Sequence, residues 1–330
     1  GQGLHRRPGG PHAEVEAIDN AGTAARGATL YVTLEPCNHH GRTPPCTEKI
    51  LSAGITRVVA AMADPNPHVT GSGNAFLRSR GLSVTQGVCE DQARRLNEVF
   101  IKHVTTGRPF VIAKCAATLD GRIAAASGDA RWVTGPAARG YVHGLRHSVD
   151  AILVGVDTVI RDDPALTTRL EEAVGKDPAR LILDSCLRIP LTSRVLSLDS
   201  PATTFIICGP SAPAPKRLAL EQKGVRVVQT TLAQDGSIDL GALMGALGRM
   251  GITSVLVEGG SRVLGSVLRA GVADKVCFFL APKILGGDDG FPVCRGKGAA
   301  AMADALVLTD VAVRRFGDDV LIEGYVKRSF

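Results

Sequence analysis

Four side chains in the first fifty residues have the types and spacing of a hydrolytic metal centre. Pro11-His12-Ala13-Glu14 supplies an imidazole and a carboxylate, and Pro36-Cys37 with Cys46 supplies two sulfurs. Three such ligands occupy three corners of a zinc tetrahedron and leave the fourth for water. Two thiolates and a neutral imidazole cancel the charge of the ion, and water at the open corner is acidified to a pKa of about 7. Glu14, spare as a ligand, suits the general acid–base role of taking that proton and passing it on. On one helix His12 and Glu14 would stand roughly 200° apart, so they converge only on a point beyond a helix N-terminus. A closed structural site would need a fourth ligand, which His39 or His40 could supply.

The surrounding sequence predicts the elements that hold these residues. A helix is expected from Pro11 to about Ala21, with proline in its first turn where the missing N–H costs nothing. A strand over 28–34 leads into Cys37, and a helix over 45–53 starts with Cys46, where the helix N-terminus favours thiolate. Further expected elements are a strand over 55–63 ended by Asp64-Pro65-Asn66-Pro67, a helix over 74–80, a strand over 83–88 and a helix over 90–104. Thr105-Thr106-Gly107-Arg108-Pro109 is a polar break, dividing the chain into domains 1–106 and 107–330. In the second part strands are expected at 110–116, 151–154, 180–184, 203–208, 225–229, 254–258 and 275–280. A terminal strand at 320–326 is expected at a sheet edge, with helices at 136–147, 240–250 and 262–270. This βα alternation predicts a three-layer α/β sheet in both halves.

Bulk composition narrows the function. The chain has 330 residues, 45% of them hydrophobic and 21% charged, with a net charge of +6. The absence of any run of eighteen apolar residues excludes a spanning helix. Basic residues are scattered and aromatics are only 4%, poor material for stacking bases, so phosphorylated small molecules fit the positive charge better than nucleic acid. Of eight cysteines, only Cys37 and Cys46 have a metal-site context. The other six are dispersed, as buried thiols of a reducing, cytoplasmic compartment would be.

The order H-x-E…P-C…C is the signature of zinc nucleobase deaminases, but eight residues rather than two separate the cysteines here. Together with Thr33-Leu34-Glu35-Pro36-Cys37-Asn38-His39-His40-Gly41-Arg42-Thr43-Pro44-Pro45-Cys46, Asp64-Pro65-Asn66-Pro67 and Leu96-Asn97, the motif resembles the bifunctional deaminase/reductase family of riboflavin biosynthesis. The resemblance implies a cytidine-deaminase-like α/β/α domain followed by a dihydrofolate-reductase-like α/β domain. It implies zinc on His12, Cys37 and Cys46, with Glu14 catalytic, removing the 2-amino group of 2,5-diamino-6-(5-phosphoribosylamino)pyrimidin-4-one. Loop 38–45, through His39, His40 and Arg42, is expected to help hold that substrate. Relatives carry an additional helix and strand pair before the equivalent of His5, which implies a first domain truncated at its N-terminus.

The resemblance extends through the second half. There Lys114-Cys115-Ala116 and Val257-Glu258-Gly259-Gly260-Ser261 run from strands into turns, and the latter reads as a phosphate cradle at a helix start. The family contacts NADPH at positions matching Ala116, Trp132, Thr158, Asp162, Ser185, Gly260, Ser261, Arg262, Val263, Leu264, Gly265 and Ser266. It holds substrate at positions matching Lys114, Ala130, Arg146, Leu166, Arg169 and Glu258. Ala130 replaces a serine common among relatives, and Arg146 and Arg169 suit bidentate phosphate binding. The implied reduction carries hydride to C1′ of the ring-opened ribosyl group, giving ribityl, and the family precedent implies association through the reductase half. Two alternatives are a reductase with a degenerate deaminase domain and a deaminase of nucleosides or tRNA. The inter-thiolate insert and the entire second half argue against the last.

Overall fold

The computed structural model describes all residues except 8, 42, 68–71, 172 and 328–330. Its contacts separate into two compact units, Gly1–Thr106 and Gly107–Phe330.

The first unit is a three-stranded parallel sheet in the order β1 (Thr29–Val32), β2 (Arg57–Ala60), β3 (Ser83–Gln86). The helices α1 (Ala13–Ala21), α2 (Cys46–Ser52) and α3 (Gly73–Ser79) alternate with these strands, and α4 (Glu90–Leu96) and α5 (Glu98–Thr106) follow them. Ile18 of α1, Leu30 of β1, Ile50 of α2, Val58 of β2 and Leu77 of α3 close into one buried core. The helix expected over 90–104 is instead two helices divided at Asn97, whose side-chain amide donates back to the Ala93 carbonyl at 2.9 Å. That local hydrogen bond competes with the helical ladder. The expected break at Thr105-Thr106 is helical, and the chain turns at Gly107 with φ +65°.

The second unit begins with β4 (Phe110–Thr118), β5 (Arg122–Ala124), α6 (Pro136–Ser148), β6 (Ala151–Gly155), α7 (Val156–Asp162) and β7 (Ala179–Leu183). It continues with β8 (Thr204–Cys208), α8 (Ala214–Glu221), β9 (Arg226–Gln229), α9 (Leu240–Arg249), β10 (Ser254–Val257) and α10 (Ser261–Arg269). It ends with β11 (Lys275–Ala281), β12 (Phe291–Pro292), β13 (Leu308–Phe316) and β14 (Asp319–Val326). Nine strands form one sheet in the order β13-β14-β11-β4-β10-β6-β7-β8-β9, parallel from β11 to β9 with an antiparallel pair at one edge. The final strand is therefore interior, and β13, which the apolar pattern does not mark, is the edge. Seven of its nine residues are exposed, so it carries no alternation to read.

Parallel strands covered on both faces read as unbroken apolar runs, and the core shows why. On β6, β7 and β8, Leu153, Leu181 and Phe205 pack into one buried cluster, while Ile152, Ile182 and Ile206 pack into the cluster on the opposite face. From β4 the chain moves outward through β6, β7, β8 and β9, then returns to fill the gap with β10 and crosses to β11. The connections that follow the neighbouring strands β4 and β10 thus leave in opposite directions, and the crevice at such strand ends is where ligands sit in open α/β sheets.

Candidate zinc and dinucleotide sites

In the first unit His12 is the N-cap of α1 in extended backbone (φ −72°, ψ 159°), and the helix begins at Ala13 rather than at Pro11. Lying outside the helix frees His12 from the 200° separation, so it and Glu14 face the same point. Cys37 follows β1, and Cys46 is the first residue of α2, capped by the extended Pro45. The His12 Nδ1 atom lies 3.2 Å from Cys46 Sγ and 3.5 Å from Cys37 Sγ, and the three ligand atoms fall within 4.8 Å of one another. Tetrahedral zinc with Zn–S of about 2.3 Å and Zn–N of about 2.05 Å requires S···N separations of about 3.6 Å, so the donor set fits the ion. His39 and His40 are exposed and lie outside this cluster. Among the described residues the set stays at three, the number that leaves a coordination position open.

The two sulfurs share one proton, and the hydrogen bond to Cys37 with burial outweighs the helix start that was expected to favour thiolate at Cys46. A hydrogen bond from the Cys46 thiol, opposed by burial and aided by the Cys46 N–H and His12, brings the Cys37 thiol down to about 5. Cys46, as donor to that thiolate and buried, is pushed up. Burial pushes the Glu14 carboxyl up, and it also hydrogen-bonds with Cys46. Thr43, inside the eight-residue insert, places its hydroxyl 3.3 Å from His12 Nε2. With Nε2–H donating to Thr43, Nδ1 keeps its lone pair for the metal; second-shell partners of this kind fix a ligand's tautomer. Thr43 also lines a cavity of about 590 Å³ that opens beside His12. Nothing in the spacing of the cysteines singled out Thr43. Arg42 lies outside the described residues.

In the second unit the central cluster is Lys114, Glu258 and Arg146. Lys114 and Ala116 share one face of β4 by the two-residue period, and Glu258 follows β10. Arg146, near the end of α6, donates Nε to Glu258 Oε1 at 2.7 Å and Nη2 to Oε2 at 3.0 Å, while Lys114 Nζ lies 3.5 Å from Oε2. Burial alone would raise the Glu258 carboxyl; the Arg146 and Lys114 charges and hydrogen bonds overcome it and hold the group at about 2. Arg146 also donates Nη1 to the Thr167 carbonyl at 3.0 Å. Its fork is thus committed inside the protein, which corrects the expectation of a bidentate phosphate ligand. Arg169 is exposed and donates its backbone N–H to His143 Nδ1 at 3.2 Å. His143 is kept at about 4 by burial and by the Arg146 and Arg169 charges. Leu166 turns its backbone through φ +53° and buries its side chain in the core, so only its main chain can meet a ligand.

A cavity of about 630 Å³ opens at the C-terminal ends of β6, β7 and β10, within the range of small-molecule sites. Ala130, Thr158, Asp162, Ser185, Gly260, Ser261, Arg262, Val263 and Ser266 line it. Ala116, Trp132, Leu264 and Gly265 do not belong to that lining. Leu264 points into the core, and a Cβ on Gly265 would meet the Arg295 carbonyl oxygen at 2.1 Å. Trp132 is exposed beneath the Arg139 guanidinium, 4.5 Å from its ring centroid. The Ser261 hydroxyl donates to the Pro292 carbonyl. A Cβ on Gly259 would lie 2.5 Å from Val263, and one on Gly155 2.8 Å from it. Glycine at both turns lets the α10 N-terminus approach β6 closely, and Gly260, Ser261, Arg262 and Val263 bring that helix start to the cavity, where its unpaired N–H groups favour an anion. This cradle fits a dinucleotide pyrophosphate.

Residues 1–62 match the cytidine and deoxycytidylate deaminase zinc-binding region, and residues 109–322 match the RibD C-terminal domain. The riboflavin biosynthesis protein RibD of Aquifex aeolicus is 42% identical over 322 residues, covering 98% of this chain and 87% of that protein. The chain belongs to the RibD family. Among solved RibD-family structures, Acinetobacter baumannii RibD superposes with a TM-score of 0.87 at 37% identity, covering 99% of this chain and 88% of that one. The Thermotoga maritima diaminohydroxyphosphoribosylaminopyrimidine deaminase/5-amino-6-(5-phosphoribosylamino)uracil reductase superposes at 0.82 with 37% identity, covering 98% and 88%. As a RibD-family protein, the chain is a bifunctional enzyme of riboflavin biosynthesis, a zinc deaminase joined to an NADPH-dependent reductase. The match runs through both halves, so neither the reductase-only nor the nucleoside or tRNA deaminase reading is favoured. None of the helices among the described residues is long and apolar enough to cross a membrane.

Proposed function

We propose that residues 1–106 deaminate 2,5-diamino-6-(5-phosphoribosylamino)pyrimidin-4-one at C2 and that residues 107–330 reduce the ribosyl chain of the product to ribityl. The observation that carries the first step is the cluster of His12, Cys37 and Cys46 at zinc-donor separations with Glu14 against it. Zinc, when bound, supplies Lewis acidity that makes water nucleophilic near neutral pH. Glu14 Oε takes one proton from the attacking water and gives it to the ring nitrogen, then takes the second from the new hydroxyl and gives it to the departing ammonia as the C–N bond breaks; a carboxyl whose affinity for protons is raised by burial is suited to both transfers. Thr43 keeps the His12 ring oriented.

In the second step NADPH supplies the hydride, and the residues of this chain hold the reactants in line. The glycine turn and the α10 N-terminus receive the pyrophosphate, while Thr158, Asp162 and Ser185 contact the nucleotide. Lys114 Nζ and Arg169 face the phosphoribosyl group, and Glu258 with Arg146 fixes Lys114. Ala130 leaves the substrate one hydrogen bond short. Association of copies through the reductase unit belongs to the same reading, and sedimentation of the purified protein tests it.

The deciding experiment is Glu14→Gln. Ammonia release from the diaminopyrimidine should fall at least a thousandfold, while NADPH oxidation with the deaminated substrate stays within about twofold of the parent. Loss of both activities together would refute the division of labour.

A further inference from the structure

The cavity of the second unit has a charged far wall that the pyrophosphate cradle does not use. Three of its lining residues, Asp157, Arg188 and Arg262, form one ion-paired set. Arg188 Nη2 lies 2.6 Å from Asp157 Oδ1, and Arg262 Nη1 lies 3.8 Å from Asp157 Oδ2. The set comes from three elements: the first turn of α7, the turn after β7 and the first turn of α10. We propose that Arg188, seconded by Arg262, reads the 2′-phosphate of the adenosine ribose and sets the preference for NADPH over NADH. The proposal rests on reading this cavity as the dinucleotide site.

Position along the sheet is the first argument. Lys114 and Glu258, the groups beside the reacting carbon in that reading, stand on β4 and β10. Arg188 follows β7, two strands beyond β10 in the order β4-β10-β6-β7, or about 14 Å from β4 at roughly 4.8 Å per strand. The cradle at α10 lies between the two ends. A dinucleotide laid across these strand ends with its nicotinamide toward β4 carries its adenosine to β7.

Rigidity is the second argument. Asp184, 1% exposed, accepts the backbone N–H groups of Arg188 and Ile189, each at 2.8 Å. The turn between them passes through Leu187 at φ +55°, and the Leu187 side chain is buried in the core. A buried carboxylate therefore clamps the Arg188 backbone, while its side chain stays 55% exposed at the cavity wall. A guanidinium on a fixed stem loses little freedom when it forks onto a phosphate.

Charge is the third. Asp184 spends both oxygens on backbone N–H groups, and the cavity lining sets Arg161, Arg188, Arg262 and Arg295 against Asp157 and Asp162, a positive excess complementary to a phosphate monoester carrying about −1.5 to −2. A ribose 2′-hydroxyl needs the opposite feature, a carboxylate free to accept it, as dinucleotide sites selective for NADH provide. Asp157 is the acidic group beside Arg188 and Arg262 in the lining, and both of its oxygens already face them. The wall thus offers donors to a phosphate, and to a hydroxyl a carboxylate whose Oδ1 already accepts from Arg188 at 2.6 Å.

Binding of ligand fragments tests this without turnover. Adenosine 2′,5′-bisphosphate and 5′-AMP are titrated calorimetrically into the full chain as parent, Arg188→Ala and Arg188→Lys, with circular dichroism confirming that each is folded. The parent should bind the bisphosphate at least tenfold more tightly than AMP. Arg188→Ala should erase most of that preference by weakening the bisphosphate alone, and Arg188→Lys should restore part of it. An Arg188→Ala protein that keeps the parent's preference, or weakens both ligands equally, overturns the assignment and leaves the cavity a nucleotide site. Failure of the parent to bind either ligand overturns the reading of the cavity and the assignment with it.

Discussion

Replacing Glu258 by glutamine removes the single anion that two buried cations share. Lys114 and Arg146 each keep only 15% of their side chains exposed, and Glu258 keeps 10%. A glutamine there offers one acceptor, and its amide N–H groups would face the donors of Arg146. Two routes give the cost. A carboxyl held at about 2 instead of its ordinary 4.5 represents about 3 kcal/mol, at about 1.36 kcal/mol per pH unit. Breaking a buried pair by removing one partner costs roughly 3–5 kcal/mol. The routes agree near the lower figure, which for a unit of this size lowers Tm by about 6–12 °C.

The pH dependence has a definite sign. Because folding depresses this carboxyl, its contribution is complete above the unfolded value of 4.5 and is lost as pH falls toward about 2. The stability gap between parent and Glu258→Gln should therefore be about 3 kcal/mol at pH 7 and shrink steadily below pH 4.5. Urea unfolding followed by circular dichroism at pH 7 and pH 3 measures both points. Reductase turnover should fall with stability, since Lys114 loses the partner that fixes its amine. A gap under about 1 kcal/mol at pH 7, or one of equal size at both pH values, would refute the argument.

Three further outcomes are expected. Thr43→Val should weaken zinc binding about 10–100-fold in competition with a chelator, the range for loss of a second-shell partner, with Thr43→Ser restoring it; unchanged affinity would show that the insert does not orient His12. Stripping the metal with a chelator should end ammonia release while NADPH oxidation with deaminated substrate persists, and a parallel loss of both would contradict two independent sites. In Gly259→Ala the added Cβ, 2.5 Å from Val263, should push α10 outward and raise KM for NADPH about tenfold or more, and adding Val263→Ala should recover much of the loss; equal affinity in the single variant would mean that the close approach is not required.

Much of this protein is legible in its sequence because local rules dictate it. The imidazole and the thiols announce a metal by type alone, and a proline ahead of each places both helix starts. The uninterrupted apolar runs at 151–154, 180–184 and 203–208 mark strands buried on both faces. Elements with no apolar pattern escape this reading, as β13 does, and so does the helix break at Asn97, where one side-chain hydrogen bond wins over helix propensity. Which arginine can reach a ligand escapes it as well. Arg146 and Arg188 are alike as residues, yet the fold buries the fork of one on Glu258 and leaves the other half-exposed at the cavity wall, held by one nitrogen to Asp157. Residue type and spacing determine what chemistry the chain can perform, since they act through the chain's own short-range geometry. Which groups are committed and which stay available depends on contacts across a hundred residues or more, such as Arg146 with Glu258, and only the packed structure decides those.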